Sequence, residues 1–575
     1  MRQIVATLVS ACAFLPACGQ GLNDNEGSGA RSVQEGLAPT YQEGTFTQIT
    51  RQCTDVVGNP CFPQPPGTVA LLTDGRILVS GSEGSTSFYT LTPDNQGSYV
   101  NGTWASVGGS TETKVFFPSY VLRDGRFLRC GGEYTPNMDV SPDCEIFDPV
   151  TNSWSVTPPM HELINDTPTA ELPDGEVLVL ACNSQNAYRY SEAAAGGWNV
   201  AAPDPDYGSK INNESGSLLL QDGSVLIGAA GFDRYLPSTD QWVATAPTQV
   251  SGSGCVNGNC TIGNEFLSVV ANTGNEIGAF VLLHDGRALV LGANSHNGLY
   301  TPPPLSNPQA GGSWTLADDT PLLDLGLLPN GFGLHNWKAM NHGDAPAVVE
   351  PNGRVLSVVT TDPTGIGQGG AIFLEFDPAT NDYGLSAWFF PRPFTEGPGS
   401  PDWAQATFPS AERVRMLPLP NANNLFGMGQ IFVIGGNGVA WVYTPSTDIV
   451  PDPSWRPTIT SVSPPAFGAF RLVGTQLNGL TTGGDFGDDG KAATNFPIVS
   501  LFKDGQMQFV RSFDFDQMAP RPNSPGYFSF AVPNGIAEGA YTVSVTANGV
   551  GSSNTATLTI TKDRGFGLVP AVLSL

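Results

Sequence analysis

Leu72-Thr73-Asp74-Gly75-Arg76-Ile77-Leu78-Val79-Ser80-Gly81 is the stretch on which the fold turns, because the chain repeats it. Echoes are Leu122-Arg123-Asp124-Gly125-Arg126-Phe127-Leu128, Leu172-Pro173-Asp174-Gly175-Glu176-Val177-Leu178 and Leu220-Gln221-Asp222-Gly223-Ser224-Val225-Leu226. Two more are Leu283-His284-Asp285-Gly286-Arg287-Ala288-Leu289 and Glu350-Pro351-Asn352-Gly353-Arg354-Val355-Leu356. Each reads as a strand, an Asp-Gly or Asn-Gly turn that tolerates positive φ, and a second apolar strand. Many echoes are followed by a strand ending near a tryptophan: Trp104, Trp154, Trp198, Trp242 and Trp314.

A hairpin with outer strands recurring about every fifty residues is the pattern of a kelch-type β-propeller. Inner hairpins are expected to begin near Thr68, Ser119, Thr167, Ser215, Gly278 and Ala345. A degenerate seventh runs from Ser410 through Met416-Leu417-Pro418 to Ile431-Phe432-Val433-Ile434-Gly435-Gly436. The propeller is predicted over 44–450, with Gly44 to Thr50 as the strand that closes the ring and removes its exposed edges. Beyond Pro451 to Pro457 the text changes. Thr458-Ile459-Thr460-Ser461-Val462-Ser463-Pro464 opens a second domain, and Tyr541-Thr542-Val543-Ser544-Val545-Thr546 and Thr555-Ala556-Thr557-Leu558-Thr559-Ile560 close it with two-residue alternation. This predicts an immunoglobulin-like β-sandwich over 456–562, with a short apolar tail, 563–575. No long stretch carries a helical period, so the predicted class is all-β: a seven-bladed kelch-type propeller followed by an immunoglobulin-like sandwich.

The 69 glycines, 48 prolines and 13% charged residues suit short strands joined by turns. A net charge of −27 and a pI near 4.3 argue against nucleic-acid partners, which need clustered Lys and Arg. Met1-Arg2-Gln3 and the apolar Ile4 to Leu15 read as a secretory signal, 1–18, followed by a flexible tether, 19–43. Leu15-Pro16-Ala17-Cys18 resembles a bacterial lipobox, which makes Cys18 the expected lipidation site on a protein exported from a bacterial cell. Pro16 departs from that pattern, so free secretion stays open. No other run is long enough to cross a membrane, which leaves the lipid as the sole membrane link. The nine cysteines fit an exported chain, with Cys53/Cys61, Cys255/Cys260 and Cys130/Cys144 as candidate disulfides and Cys182 left over.

This layout resembles the galactose oxidase and glyoxal oxidase family of copper-radical enzymes. The resemblance is most specific at Phe486-Gly487-Asp488-Asp489 and Ala493-Thr494-Asn495-Phe496-Pro497. It implies a copper held by a cysteine-linked tyrosine, a Tyr-His pair and a histidine from the C-terminal domain. Carried over, those positions fall near Pro65-Pro66 (Cys61 is just upstream), on Phe116 or Phe117, on Phe408-Pro409-Ser410, and on Phe513. None can bind copper or hold a radical: Phe has no phenol oxygen and Pro no imidazole. The five histidines, His161, His284, His296, His335 and His342, fall at none of these places. Copper is therefore not expected.

In that family the copper ligands stand eight or nine residues before the turn, and the resemblance carries that count in the third to sixth repeats onto Asp166, Glu214, Glu276 and Asp344, the first three preceded by Asn165, Asn213 and Asn275. They are expected to form an arc of carboxylates at one end of the pore. Like charges so placed call for a cation, Ca²⁺ by the chemistry of the donors, or for a basic ligand group. His342 joins the candidate binding set. The bland alternative is that these carboxylates are solvated or bonded to backbone amides. The expected protein is an exported, lipid-anchored monomer that binds an extracellular glycan or surface protein. The rivals are an enzyme, either a hydrolase using the acidic arc or an oxidase relocated to His335 and His342, and a structural adhesin.

Overall fold

The computed structural model describes residues 44–561, except 56, 64, 83, 134–139, 208–210, 212–214, 230, 247, 252–258, 263–268, 272–273, 328–334, 362–368, 384–407, 421–427, 437, 467–468, 483, 486–490 and 493–494. Side chains are also left out over 247–276, 324–337, 464–468 and 483–494. The predicted signal, tether, Cys18 and Cys255 lie outside the described residues, as does the side chain of Cys260.

The architecture is β throughout, with no α-helix among the described residues. Its first part is a series of antiparallel sheets, each built in chain order. The first comprises Val69–Leu71, Ile77–Ser80, Phe88–Thr92 and Thr103–Val107. The second, third, fourth and fifth sheets open with Ser119–Val121, Thr169–Glu171, Gly216–Leu219 and Phe280–Leu282, and each continues through three more strands. The sixth runs Ala347–Val349, Val355–Val359, Ile372–Asp377 and Asp382–Tyr383. The seventh takes three strands, Arg415–Pro418, Ile431–Gly435 and Val439–Thr444, and borrows its fourth, Thr45–Gln48, from the other end of the ring sequence.

The repeated turn explains why each sheet starts as it does. In the first, Gly75 N donates to Leu72 O (2.9 Å), Leu72 N to Arg76 O (2.8 Å), and Arg76 N to the Asp74 carboxylate (3.1 Å). Only Gly75 takes a left-handed φ, +81°, so the hairpin is a turn followed by a glycine bulge and not a two-residue reversal. The tryptophans stand on the fourth strands. Trp154, Trp198 and Trp242 donate their indole N–H to the carbonyls of Gly108, Pro158 and Ala202, and Trp314 donates to the Thr245 hydroxyl. Every acceptor lies just past the fourth strand of the preceding sheet. Trp104 makes the same bond to Arg51 O (3.0 Å), just past Thr45–Gln48, so the series returns to its start.

The first strands repeat this cycle. Thr68 and Ser119 share a hydroxyl contact (3.2 Å), Tyr120 Oη donates to Thr169 O (2.5 Å), and Ser217 donates to the same carbonyl (2.5 Å). The first strands of sheets four to seven follow one another side by side, and the seventh lies beside the first. Apolar cores fill the space between neighbours, as where Leu226 and Phe232 of the fourth meet Phe280 and Trp314 of the fifth. Such sheets are consistent with propeller blades.

From Thr458 onward two sheets pack face to face. One is ordered Thr458–Ala466, Ala469–Thr475, Pro525–Phe530, Ser512–Phe513; the other Gln506–Val510, Ile498–Lys503, Gly539–Ala547, Val550–Gly551, with Ala556–Ile560 also on Gly539–Ala547. Val462, Leu472 and Phe528 meet Val499, Val543 and Leu558 between them. Cys53–Cys61 and Cys130–Cys144 are disulfides, the latter across directly paired residues, as the spacing suggested. Cys182 is a thiol, half-buried and not fully buried as a small core residue would be.

Candidate functional site

The ring has two unlike ends. At the turn end Ser512 N donates to Thr73 O (3.2 Å), Phe515 N to Arg123 O (3.3 Å), Met518 N to Pro173 O (2.9 Å), and Gln221 Nε2 to Leu480 O (2.8 Å). The C-terminal part thus docks on successive turns. From it a hairpin, Gly484–Asp485 with Lys491–Ala492, enters the ring. Asp485 pairs with Ala347 of the sixth sheet, and the two strands lie beside the first strands of the first, second, fifth and seventh sheets. The opposite mouth, where the first strands begin, faces away from this dock and carries the sequence candidates.

Asp166 and Asp344 each stand three residues before the first strand of their sheets and are buried. Asp344 has φ +47°, and its N–H donates to Ile277 O (3.2 Å). Phe116 occupies the matching place in the second sheet, also at φ +47°, a conformation that is rare for a bulky side chain and marks a constrained backbone. Asn165 is buried, and its Nδ2 donates to Glu133 Oε1 (2.9 Å). Asn213 and Glu214 lie outside the described residues. Glu276 pairs with Val269 in a separate hairpin, Val269–Ala271 with Gly274–Glu276, just before the fifth sheet begins. The side chains of Asn275 and Glu276 are not described. Among the described residues no three of His, Cys, Asp and Glu come together in a metal-holding group. The expected Ca²⁺ arc therefore finds no support in the geometry.

His342 is fully buried against the mouth and not displayed on it. Its Nε2 faces Ser357 Oγ (3.2 Å) and its Nδ1 faces Thr320 Oγ1 (3.4 Å), so both ring nitrogens already meet hydroxyls. Burial pulls its pKa down to about 3, which keeps the ring neutral. The pairing with His335 imagined for a relocated oxidase has only His342 within the described side chains, and that imidazole has no lone pair turned to solvent.

The positions matched to the copper ligands hold hydrocarbon. Phe117 is buried with the Arg129 guanidinium 5.3 Å from its ring centre, and Phe408 is buried 5.5 Å from Phe373. Cys61 is committed to Cys53. Phe513, however, is not at this mouth. It pairs with Ser529 next to Ser512, which bonds Thr73 at the turn end. Six residues separate Phe117 from Arg123, about 20 Å of extended chain. The C-terminal stretch that supplies the two strands entering the ring, Gly484–Asp485 and Lys491–Ala492, lies elsewhere in the sequence. It contains no histidine, and the chain has none after His342.

A buried polar cluster behind Phe117 escaped the sequence reading. Arg129 pairs with Glu145 (Nε to Oε2, 3.0 Å) and donates to Glu112 O (2.6 Å), while Lys114 reaches Glu112, Ser141 and Asp143 O. Burial, then repulsion from Arg129, lowers the Lys114 pKa. Burial would raise Glu145, but the Arg129 charge and the Thr111 donors outweigh it and hold it below the usual carboxylate range. One signal was present. Arg129 and Ser357 are polar at the third place of second strands where the other repeats carry Val79, Val179, Ile227 and Val290. Those two side chains reach the buried Glu145 and His342.

No protein-family model matches the chain, and no curated protein matches it. Among solved structures, a fungal alcohol oxidase described as having catalytic diversity among the AA5 family, in complex with copper, aligns with 90% of this chain and 99% of its own. Its identity is 14% and its TM-score 0.45, a likeness too distant to bear on chemistry here.

Proposed function

We propose that this chain is an exported, lipid-anchored surface protein. It is built on a galactose-oxidase-like seven-bladed propeller with an immunoglobulin-like C-terminal domain, and it binds a glycan or surface protein at the strand-start mouth without oxidising it. One observation carries the reading: where a copper-radical site needs phenolate and imidazole donors, the mouth has buried Phe117 and Phe408, and no histidine follows residue 342. The buried Asp166, Asn165 and Asp344 around that mouth supply oxygens and amides suited to hydroxyl-rich or basic ligands. Two disulfides among the described residues suit an oxidising compartment.

The test is metal analysis of protein produced with copper and calcium both present, oxygen uptake on primary alcohols and aldehydes, and glycan-array binding of the wild type and Asp166→Ala. Binding weakened by Asp166→Ala, with no stoichiometric copper and no oxygen uptake, supports the reading. Copper at one per chain with substrate-dependent oxygen uptake overturns it.

A further inference from the structure

Two residues before the Asp of the turn, five of the repeats carry leucine: Leu72, Leu122, Leu172, Leu220 and Leu283. The sixth carries Glu350 there, and Glu350 is fully buried. The register sets its surroundings. Val348 pairs with Leu356 and Leu356 with Glu375, so the three share one face of the sixth sheet. Glu350 N donates to Arg354 O (2.7 Å), and by the two-residue period both side chains lie on that face too. It packs on the seventh sheet, where Val348, Leu356 and Phe373 meet Trp441 and Tyr443.

A chain of polar contacts crosses this seam. Glu375 accepts from the Tyr443 hydroxyl and lies 3.6 Å from the Arg354 guanidinium. Tyr443 Oη accepts in turn from Gly44 N (3.1 Å), at the head of the closing strand. Arg354 also reaches Asp448 (2.9 Å), beyond the seventh sheet. Glu350 hydrogen-bonds Glu375, with the Asn352 amide beside it. Two carboxyls share a hydrogen bond only with a proton between them. Inside the seam two carboxyls face one guanidinium, which Asp448 also engages, so the buried charge cancels only when one carboxyl is neutral. Glu375 has the Tyr443 donor and the Arg354 charge, which leaves the proton on Glu350. Burial first, then the Glu375 charge, raises the Glu350 pKa well above the usual carboxylate range, against the pull of Asn352 and Arg354. The stability this contributes is fully present below about pH 4.5 and is lost as pH rises toward the folded value.

We propose that the proton shared by Glu350 and Glu375 is a pH-sensitive clasp on ring closure: when it leaves, two like charges face each other in the seam and the closing strand Thr45–Gln48 loosens on the seventh sheet. Hydrogen exchange on the full-length protein from pH 6 to pH 10, corrected for the intrinsic pH dependence of exchange, tests it. In the wild type, amides of 45–48 and 439–444 should lose protection by up to about tenfold per pH unit once the proton is lost, with Phe127–Cys130 of the second sheet unchanged. Glu350→Gln keeps a donor for Glu375 and carries no charge, and Glu350→Leu restores the side chain of the other repeats. In either variant the protection of the closing strand should not depend on pH over this range. A closing strand that loosens alike in the wild type and a folded variant overturns the proposal. So does a wild-type strand that keeps its protection to pH 10.

Discussion

The Trp455 indole lies flat on the His284 imidazole, ring centres 3.9 Å apart and planes 17° from parallel. His284 belongs to the turn of the fifth sheet and Trp455 to the link between the two parts of the chain. Burial pulls the His284 pKa down to about 3 against the opposing pull of Asp452, so a neutral ring is what the indole covers. Gly353, at φ +96°, brings the sixth sheet's turn against the same indole. A Cβ there would lie 2.6 Å from Trp455 Cη2.

Trp455→Ala is expected to remove the stacked pair, worth about 1 kcal/mol beyond the apolar burial, and Gly353→Ala to displace the indole. Both should speed limited proteolysis between residues 446 and 457. Cleavage at wild-type rates in both variants would show that the link is held by other contacts.

The Arg129–Glu145 pair is sealed from water on both sides. Removing one member of such a pair strands the other, a loss of about 3–5 kcal/mol. Glu145→Gln should therefore lower the urea midpoint strongly, while Arg129→Met with Glu145→Leu should recover much of the loss. A double variant as unstable as the single would contradict this account.

His342 fixes the sign of an acid effect. Its folded pKa, about 3, is below the unfolded value near 6.5, so between those values the unfolded chain binds the extra proton. Stability then falls as pH drops from 6.5 toward 3, by up to about 1.4 kcal/mol per pH unit for this one group. In melting curves taken from pH 7 to 4, His342→Gln should flatten the slope. An unchanged slope would mean that the ring is hydrated in the folded state.

Glu171 acts in the other direction. It is buried at the turn end of the third inner strand, and burial raises its pKa well above 4.5, with the Asn495 carboxamide opposing. The folded chain keeps it protonated while the unfolded chain ionises it, so its contribution is favourable below pH 4.5 and is lost as pH rises toward its folded pKa. Glu171→Gln should raise the melting temperature at pH 8 and leave it nearly unchanged at pH 4. A variant equally stabilised at both values would point to packing instead.

The sheets were legible because each Asp-Gly or Asn-Gly turn needs a glycine at positive φ and each second strand is an unbroken apolar run. The closing strand near Gly44 to Thr50 could be read for the same reason: a ring with an odd edge needs one more strand. The hairpins that the chain inserts between the fourth and fifth sheets, Thr248–Ser251 with Asn259–Ile262 and Val269–Ala271 with Gly274–Glu276, were not legible because they obey no repeat spacing. Phe513 was placed at the wrong end because the alternating text of a sandwich strand does not say which loop enters a channel. The Arg129 cluster was partly visible, as a charge in an apolar strand. Its partner Glu145 stands directly opposite on the next strand, one pair along from Cys130–Cys144, so the expected disulfide already implied the pairing.

The bond from Gly44 N to Tyr443 Oη (3.1 Å) joins residues 399 apart. A ribosome adding about 5–20 residues per second needs tens of seconds to cover that distance. Throughout that interval Thr45–Gln48 is an orphan strand, already made and with nothing to pair with. The oldest piece of the ring is thus its keystone, and the ring cannot close before Val439–Thr444 has been made.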